Sequence, residues 1–191
     1  GYIPFSLFKE HSKTKFQVEI LGKKAVVFGG TSGIGLATSQ ELHARGADVV
    51  AISRDPDKAG TSIDGIRLGA LDARDSDAVS AFFDSEGKID ILISSATGGS
   101  RASGPFLQMD IEGFKGSFDK LWGYANVMRY GTLKLSDDGC IVLVSGTPAR
   151  KMKPGQVALS AVGGAVEALA RAIAPEISPK RINVVAPGIV D

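Results

Sequence analysis

The sequence predicts a single α/β domain built on a doubly wound parallel sheet. Three observations predict it. Short runs of apolar, β-branched residues alternate with longer segments of helical periodicity, a glycine-rich turn joins the first strand to the first helix, and the length of 191 residues suits one domain. Continuous apolar strands are typical of parallel sheets covered on both faces, and right-handed crossovers then make the sheet doubly wound.

The elements follow one another in a regular order. The predicted strands cover residues 24–30, 47–53, 65–72, 89–96, 139–146 and 181–188. The predicted helices cover residues 33–46, 75–87, 112–135 and 156–177. Residues 1–21 precede the first strand and are expected to form an N-terminal arm, either packed on the outside or partly disordered. Residues 22–191 are expected to form the domain itself.

Composition and residue spacing narrow the function classes. Lys and Arg number 22 against 21 Asp and Glu, and the net charge of +1 gives no reason to expect nucleic acid or a membrane surface as a partner. No apolar run approaches the ~18 residues that span a bilayer. Neither His11 nor His43 lies in a metal-binding pattern, so no metal is expected. The single cysteine, Cys140, fits a reducing, cytoplasmic location.

The turn after the first strand carries the motif GGTSGIG, residues 29–35. In a doubly wound sheet this turn binds the phosphates of a dinucleotide, because the helix that follows offers unpaired N–H donors and a partial positive charge. Gly29 permits a tight turn, Gly33 lets the backbone approach the pyrophosphate, and Gly35 allows the helix to pack closely on the strand. The alternative is a purely structural glycine turn, but the strand, turn and helix context favours a cofactor site.

The end of the second strand indicates which dinucleotide binds. An acidic residue here would accept a hydrogen bond from the ribose 2′-hydroxyl of NAD, but the sequence has Ser53 and Arg54. A guanidinium pairs well with the 2′-phosphate of NADP. We therefore expect NADP(H) rather than NAD(H), although Asp55 follows directly. The alternative for Arg54 is an exposed loop arginine without a ligand.

These motifs resemble the short-chain dehydrogenase/reductase family from about residue 22 to the last residue. GGTSGIG is similar to the family's glycine motif, LD at 71–72 to the acidic position that contacts adenine, SSATGG at 94–99 to its Asn-Asn-Ala-Gly turn, and RINVVAPGIVD at 181–191 to its sixth strand and Pro-Gly turn. The resemblance implies a Rossmann fold and a bound nicotinamide cofactor. The implied cofactor-binding residues are Gly29, Thr31, Ser32, Gly33, Ile34, Gly35, Ser53, Arg54, Leu71, Asp72, Ser95, Ala96, Pro187, Gly188 and Ile189.

The family's catalytic residues are replaced in this chain. The family uses a tyrosine as acid/base, a lysine four residues later that lowers its pKa, and a serine about thirteen residues earlier that holds the substrate carbonyl. Leu159 occupies the tyrosine position, Gly163 the lysine position and Gly146 the serine position. A leucine cannot act as a general acid. The resemblance is therefore to a divergent branch that lacks the Tyr-x-x-x-Lys pair.

Two residues remain as catalytic candidates. The family's asparagine position falls on Lys120, or on Leu121 if the alignment shifts by one residue. The Lys120 ammonium can stabilise an alkoxide or donate a proton. Ser145, beside the lost serine position, can hydrogen-bond a substrate carbonyl, and Thr147 is a second hydroxyl nearby. The alternatives are a surface lysine and a loop hydroxyl. Arg101 either meets an anionic substrate or faces solvent.

Three functions stay open at this point. The first is an NADP(H)-dependent oxidoreductase that transfers hydride to or from a small carbonyl, alcohol or imine by a non-standard mechanism. The second is a catalytically silent NADP(H)-binding regulator or partner subunit, which the loss of the tyrosine favours. The third is a non-reductive enzyme on the same scaffold. The resemblance also implies a homo-oligomer, and a chain without the family's usual C-terminal substrate loop and last strand.

Overall fold

The computed structural model of the protein describes residues 19–57, 64–97, 99 and 101–188. In this part of the chain six strands form one parallel sheet in the order β3-β2-β1-β4-β5-β6. The strands are β1 Lys24–Phe28, β2 Asp48–Ser53, β3 Arg67–Ala70, β4 Ile89–Ser94, β5 Leu135–Val144 and β6 Arg181–Val185. The order reverses between β1 and β4, so the sheet is doubly wound. The predicted fold class is confirmed.

Helices connect the strands on both sides of the sheet. Those of seven or more residues are α1 Gly33–Ala44, α2 Ser76–Glu86, α3 Ile111–Ser117, α4 Asp119–Lys134 and α5 Val157–Ile173. Short 3₁₀ turns cover Phe106–Gln108 and Thr147–Ala149. Two helices begin with a side-chain cap, where Asp75 accepts from the Ala78 N–H and Asp110 from the Gly113 N–H. Most of the predicted elements are present with ends shifted by a few residues.

The single helix predicted over residues 112–135 is wrong. Two helices, α3 and α4, divide at Phe118. The Phe118 N–H binds the Lys115 carbonyl, three residues back rather than four, so the chain tightens there. Gly113 and Gly116 lower the helix propensity of α3. The Ser117 hydroxyl accepts a hydrogen bond from the N–H of Ala102, so a loop from another part of the chain holds the break in place.

The core forms two layers because alternate residues of each strand point to opposite faces. On β1, Val26 and Phe28 pack with α2, α4 and α5, whereas Ala25 and Val27 pack on the side of α1. All four side chains are almost fully buried. The central strands therefore contain apolar runs that are buried on both faces, and a cleft opens at their carboxyl ends.

Candidate functional site

A cleft of about 1550 Å³ runs along the carboxyl edge of the sheet. Its walls come from the segments after β1, β2, β4, β5 and β6, together with the start of α1 and one side of α4. Ligands of doubly wound sheets bind in this crevice. The described residues that the sequence predicted for cofactor binding or catalysis all line the cleft; Ile189 lies outside the described residues.

The glycine turn is fixed tightly against its neighbours on one side and open on the other. Gly29 has a φ of +78°, and its N–H donates to the Ile52 carbonyl at 2.7 Å. A Cβ on Gly29 would lie 2.6 Å from the Ala96 nitrogen, and one on Gly35 would collide with the Gly29 carbonyl oxygen. Gly33 has a φ of +50°, and a Cβ there would meet nothing within 4 Å. The turn therefore packs on β4 and leaves space at Gly33 for a ligand.

The N-terminus of α1 faces this space with unused donors. Its first N–H groups lack partners within the helix, and the hydroxyl of the N-cap residue Ser32 makes no capping hydrogen bond. Thr31 is buried beside Ser32, and the Ile34 side chain is partly exposed. A helix start with free donors and no acidic side chain in its first turn suits an anionic phosphate group.

The end of β2 combines an unsatisfied hydroxyl with a cation. The Ser53 Oγ atom is buried and has no hydrogen-bond partner among the described residues. Arg54 follows it, exposed and lining the cleft. The pKa of Asp72 is lowered, chiefly by hydrogen bonds from Arg74 and further by the charge of Arg54. These groups fit a ribose and an extra phosphate, because an orphaned buried hydroxyl calls for a polar partner.

The ends of β4 and β6 complete the wall of the cleft. The N–H and the hydroxyl of Ser95 both donate to the Phe28 carbonyl, at 2.9 and 3.0 Å, which holds Ala96 against the glycine turn. The Pro187 carbonyl accepts from the N–H and the hydroxyl of Thr147, at 2.8 and 2.7 Å. The Thr147 hydroxyl is thus committed to the Pro-Gly turn, and Gly188 lies beside it.

Lys120 extends from α4 into the cleft. Its Nζ lies 3.4 Å from the Ser145 carbonyl oxygen and 5.3 Å from the centre of the Tyr124 ring. Burial lowers the pKa of Lys120 to about 8, and the charge of Arg101 contributes in the same direction. Leu121, the alternative in the alignment, packs instead against the apolar core. The geometry therefore brings the ammonium group, and not Leu121, to the site.

Comparisons with known proteins agree with this geometry. The family model described as short chain dehydrogenase matches residues 23–191. The chain belongs to the short chain dehydrogenase family. Human L-xylulose reductase is 30% identical over 180 residues, which cover 90% of this chain and 73% of the reductase. The pig protein named carbonyl reductase [NADPH] 2 is 30% identical over 175 residues, covering 88% of this chain and 71% of that protein.

A solved structure of the family shares the fold closely. A short chain dehydrogenase from Burkholderia cenocepacia, in complex with NADP, is 27% identical with a TM-score of 0.83. The similarity covers 91% of this chain and 75% of that one. Together with the family match, this similarity makes the protein a short chain dehydrogenase with a Rossmann-like sheet.

Leu159 and Gly163 occupy the positions of the family's usual tyrosine and lysine. Leu159 lies half-buried on α5 and lines the cleft. Gly163 is buried, and its carbonyl accepts a hydrogen bond from the Ser145 hydroxyl at 3.1 Å. A Cβ on Gly163 would lie 2.9 Å from the Cβ of Ala149. The space that a longer side chain would need is therefore filled by the turn after β5.

The sequence analysis did not identify two residues that line the cleft, Arg74 and Tyr124. Arg74 binds the Asp72 carboxylate at 2.6 Å and reaches Asp119 on α4 at 2.8 Å. The sequence feature that could have identified Arg74 is its position two residues after Asp72. Tyr124 is fully buried one turn after Lys120 and donates from its hydroxyl to the Val144 carbonyl at 2.9 Å. Burial raises the pKa of Tyr124, so it stays neutral.

The described residues contain no group of three or more His, Cys, Asp or Glu side chains that could hold a metal ion. Over the same ranges, none of the helices has the length and apolar character required to cross a membrane.

Proposed function

We propose that this short chain dehydrogenase is an NADP(H)-dependent oxidoreductase that transfers hydride to or from a small carbonyl, alcohol or imine. The observation that carries the proposal is that one cleft contains both the open glycine turn and the half-buried ammonium of Lys120. The first feature suits a dinucleotide and the second suits a developing oxyanion. The similarity to the pig protein named carbonyl reductase [NADPH] 2 and to the Burkholderia cenocepacia enzyme in complex with NADP supports the choice of cofactor.

The proposed cofactor is held along the carboxyl edge of the sheet. Gly33 and the start of α1 would hold the pyrophosphate, and Ser53 with Arg54 would hold the 2′-phosphorylated ribose. Leu71 and Asp72 would border the adenine, while the turn at 187–188 would border the nicotinamide, as in the family's motifs. NAD(H), without the 2′-phosphate, would lose the partner of Arg54. When bound, the cofactor supplies the hydride; the protein orients it and stabilises charge.

Lys120 is proposed as the residue that stabilises the substrate oxygen and donates its proton. A carbonyl oxygen gains negative charge as hydride arrives at its carbon, and a nearby ammonium lowers the energy of that state. Burial brings the Lys120 pKa to about 8, which makes the group a better acid than an exposed lysine. The cleft wall at Leu159 offers no phenol for this step, so Lys120 carries it alone.

Ser145 is proposed as a positioning residue. Its hydroxyl donates to the Gly163 carbonyl, so the only proton of that hydroxyl is already committed. Its main-chain carbonyl faces the Lys120 ammonium at 3.4 Å. Ser145 therefore fixes where Lys120 presents its charge, in place of the direct contact to the substrate carbonyl that the sequence suggested.

A catalytically silent NADP(H)-binding protein is the second candidate. The observation that favours it is the loss of both the tyrosine and the lysine positions, to Leu159 and Gly163. Such a protein would keep the glycine turn and Arg54 and would act as a regulator or partner subunit. It differs from the first candidate in a single measurable property, which is hydride transfer.

The test is NADPH binding followed by turnover. NADPH binding is measured by the change in its fluorescence, and oxidation is followed by its absorbance with a panel of ketones, quinones and imines. We expect binding and oxidation with at least one class. Binding without oxidation across the whole panel would refute the oxidoreductase proposal and favour the silent one. Absence of NADPH binding would refute both.

We also propose a homo-oligomer in the cytoplasm. On α4, the side chains of Trp122 and Leu133 are 65% and 76% exposed in the single chain, which leaves apolar surface for contact with a second copy. The single cysteine, Cys140, supports this location, because a chain that cannot form an internal disulfide suits a reducing compartment. Light scattering of the purified protein measures the oligomeric state, and a monomer at micromolar concentration would refute the proposed homo-oligomer.

A further inference from the structure

We propose that the substrate carries an anionic group, a carboxylate or a phosphate, and that Arg101, Lys151 and Lys153 bind this group at the end of the cleft next to Lys120. The inference rests on the proposed function and deepens it by naming a substrate class. The three cations come from two loops, one after β4 and one after β5, and all of them line the same cleft.

The two loops are joined to each other. The N–H of Gly104 donates to the Gly155 carbonyl at 3.0 Å, which ties the loop of Arg101 to the loop of Lys153. The N–H of Ala102 also donates to the Ser117 hydroxyl at 2.9 Å, so the residue after Arg101 is anchored on α3. Backbone contacts, and not a chance approach of long side chains, therefore bring these cations to one wall.

The carboxylates that line the cleft are neutralised elsewhere. Glu41 pairs with Arg45 on α1. Asp72 and Asp119 both pair with Arg74 near the end of β3. These three are the acidic side chains of the described cleft wall, and two arginines, Arg45 and Arg74, pair with all of them. None of these three carboxylates therefore forms an ion pair with Arg101, Lys120, Lys151 or Lys153.

The cations at the substrate end have no carboxylate partners. Within the described ranges, no ion pair involves Arg101, Lys120, Lys151 or Lys153. Arg101 lies close enough to Lys120 for its charge to oppose the lysine's protonation. Several unpaired cations around a concave wall repel one another and attract an anion, whose binding relieves the repulsion. This pattern favours a ligand that brings negative charge.

The cofactor does not supply that charge. In the proposed binding mode its phosphates would lie at Gly33 and at Arg54, which follow β1 and β2 on one half of the sheet. Arg101 and the two lysines follow β4 and β5 on the other half. The nicotinamide ring, expected near residues 187–188, brings no phosphate to this side. The anionic group must therefore belong to the substrate. The carbonyl of the substrate would lie between that anionic group and Lys120.

Matched pairs of charged and uncharged probes test the inference. Acetoacetate is compared with methyl acetoacetate, and dihydroxyacetone phosphate with dihydroxyacetone, in NADPH oxidation. We expect kcat/KM for at least one anion to exceed that of its uncharged partner by about tenfold or more, mainly through KM. Preference for acetoacetate identifies a carboxylate, and preference for dihydroxyacetone phosphate identifies a phosphate. Equal or better use of both uncharged partners would overturn the inference while the oxidoreductase function stands.

Arg101→Gln assigns the effect to this wall. We expect it to lower kcat/KM for the preferred anion at least about tenfold more than for its uncharged partner, and to leave NADPH binding unchanged. The control is Arg129→Gln, which removes an exposed cation from α4 outside the cleft. Equal effects of the two variants would overturn the inference. The NADPH affinity of each variant shows whether it is folded.

A binding measurement separates this inference from the proposed function. If NADPH is not oxidised with any probe, calorimetry with acetoacetate and with dihydroxyacetone phosphate is run on the NADP⁺-loaded protein. Binding of either anion that Arg101→Gln weakens would support the anion site and count against the oxidoreductase function. Absence of binding by both anions would overturn the anion site.

Discussion

Lys120 is a half-buried lysine whose ammonium group lies in the cleft. Its ammonium faces the Ser145 carbonyl and the face of the Tyr124 ring, both of which favour a positive charge. Burial and the charge of Arg101 act in the opposite direction and bring the pKa to about 8. The residue is therefore charged at neutral pH and gives up its proton more readily than an exposed lysine.

Lys120→Met removes the ammonium and keeps an unbranched side chain of similar length. With the substrate identified by the panel, we expect kcat to fall about 100-fold or more, as for loss of a general acid. In the unsubstituted protein kcat should decline as the pH rises through about 8, because the neutral amine has no proton to donate. Lys115→Met, on the exposed side of α3, is the control. A rate in Lys120→Met equal to that of the control would contradict the role.

The same residue affects stability with a defined sign. The folded pKa of about 8 lies below the ordinary 10.5, so between these values the unfolded chain holds more protons at this position than the folded chain. The contribution of Lys120 to the free energy of unfolding should therefore rise with pH from about 8 to 10.5. Urea unfolding of Lys120→Met across this range should lack that rise. Parallel curves for the two proteins would show that the residue titrates normally.

Arg54 is the residue that we propose to select NADPH over NADH. Arg54→Gln removes the charge at the end of β2, and we expect NADPH to bind about tenfold more weakly while NADH is unaffected. Arg45→Gln is the matched control, because Arg45 also lines the cleft but pairs with Glu41 on α1. Dissociation constants from cofactor fluorescence give the comparison. An equal loss for both cofactors in Arg54→Gln would contradict selection by the 2′-phosphate.

At the scale of elements, α5 carries two adjacent glycines with opposite surroundings. Gly163 faces the turn after β5, where a Cβ would lie 2.9 Å from Ala149 and 3.1 Å from the Ser145 hydroxyl oxygen. Gly164 faces open space, where a Cβ would meet nothing within 4 Å. Packing requires a glycine at position 163. Glycine weakens a helix, and no packing contact requires it at position 164, so Gly164 only lowers the stability of the fold.

The pair makes its own control. Gly164→Ala should raise the free energy of unfolding by about 1 kcal/mol, because alanine restricts the unfolded chain and favours the helix. Gly163→Ala should lower it by about 1–3 kcal/mol, because the added methyl group overpacks a filled site. Urea unfolding of both variants measures the difference. Equal effects would mean that the turn at 147–149 yields easily to a larger side chain.

At the scale of the whole molecule, an ion cluster closes the end of the sheet opposite the cleft. Glu86 at the end of α2 pairs with Lys24 of β1 at 2.8 Å and with Arg67 of β3, and its side chain is only 8% exposed. Hydrogen bonds from Arg67, and then from Lys24, lower the pKa of Glu86 against the opposing effect of burial. One carboxylate thus connects a helix to two strands.

Glu86→Gln tests this connection. We expect a loss of about 2 kcal/mol at neutral pH, because two cations lose their partner in a largely buried place. The folded pKa lies below the ordinary 4.5, so the stabilisation is present above that pH and disappears as the pH falls through the folded value. The variant should therefore show a weaker acid dependence. Asp84→Asn, in an exposed pair with Lys134, should cost no more than about 0.5 kcal/mol.

The fold was predictable because its signals are local. Apolar β-branched runs specify strands buried on both faces, and the glycine turn specifies a strand entering a helix. The break at Phe118 was not predictable, since it depends on a hydrogen bond between Ser117 and the distant Ala102. The pairing of Arg74 with Asp119 joins positions 45 residues apart. No local pattern reveals such contacts, and the same holds for the link between Gly104 and Gly155.

The filled space beside Gly163 limits how this protein can change. A tyrosine at position 159 would enter an open cleft, but a lysine at position 163 would first have to displace Ala149 and the Ser145 hydroxyl. The family's usual pair therefore cannot return through two substitutions, because the turn after β5 must move as well. A return to the usual pair would therefore require coordinated changes at positions 159, 163 and 149.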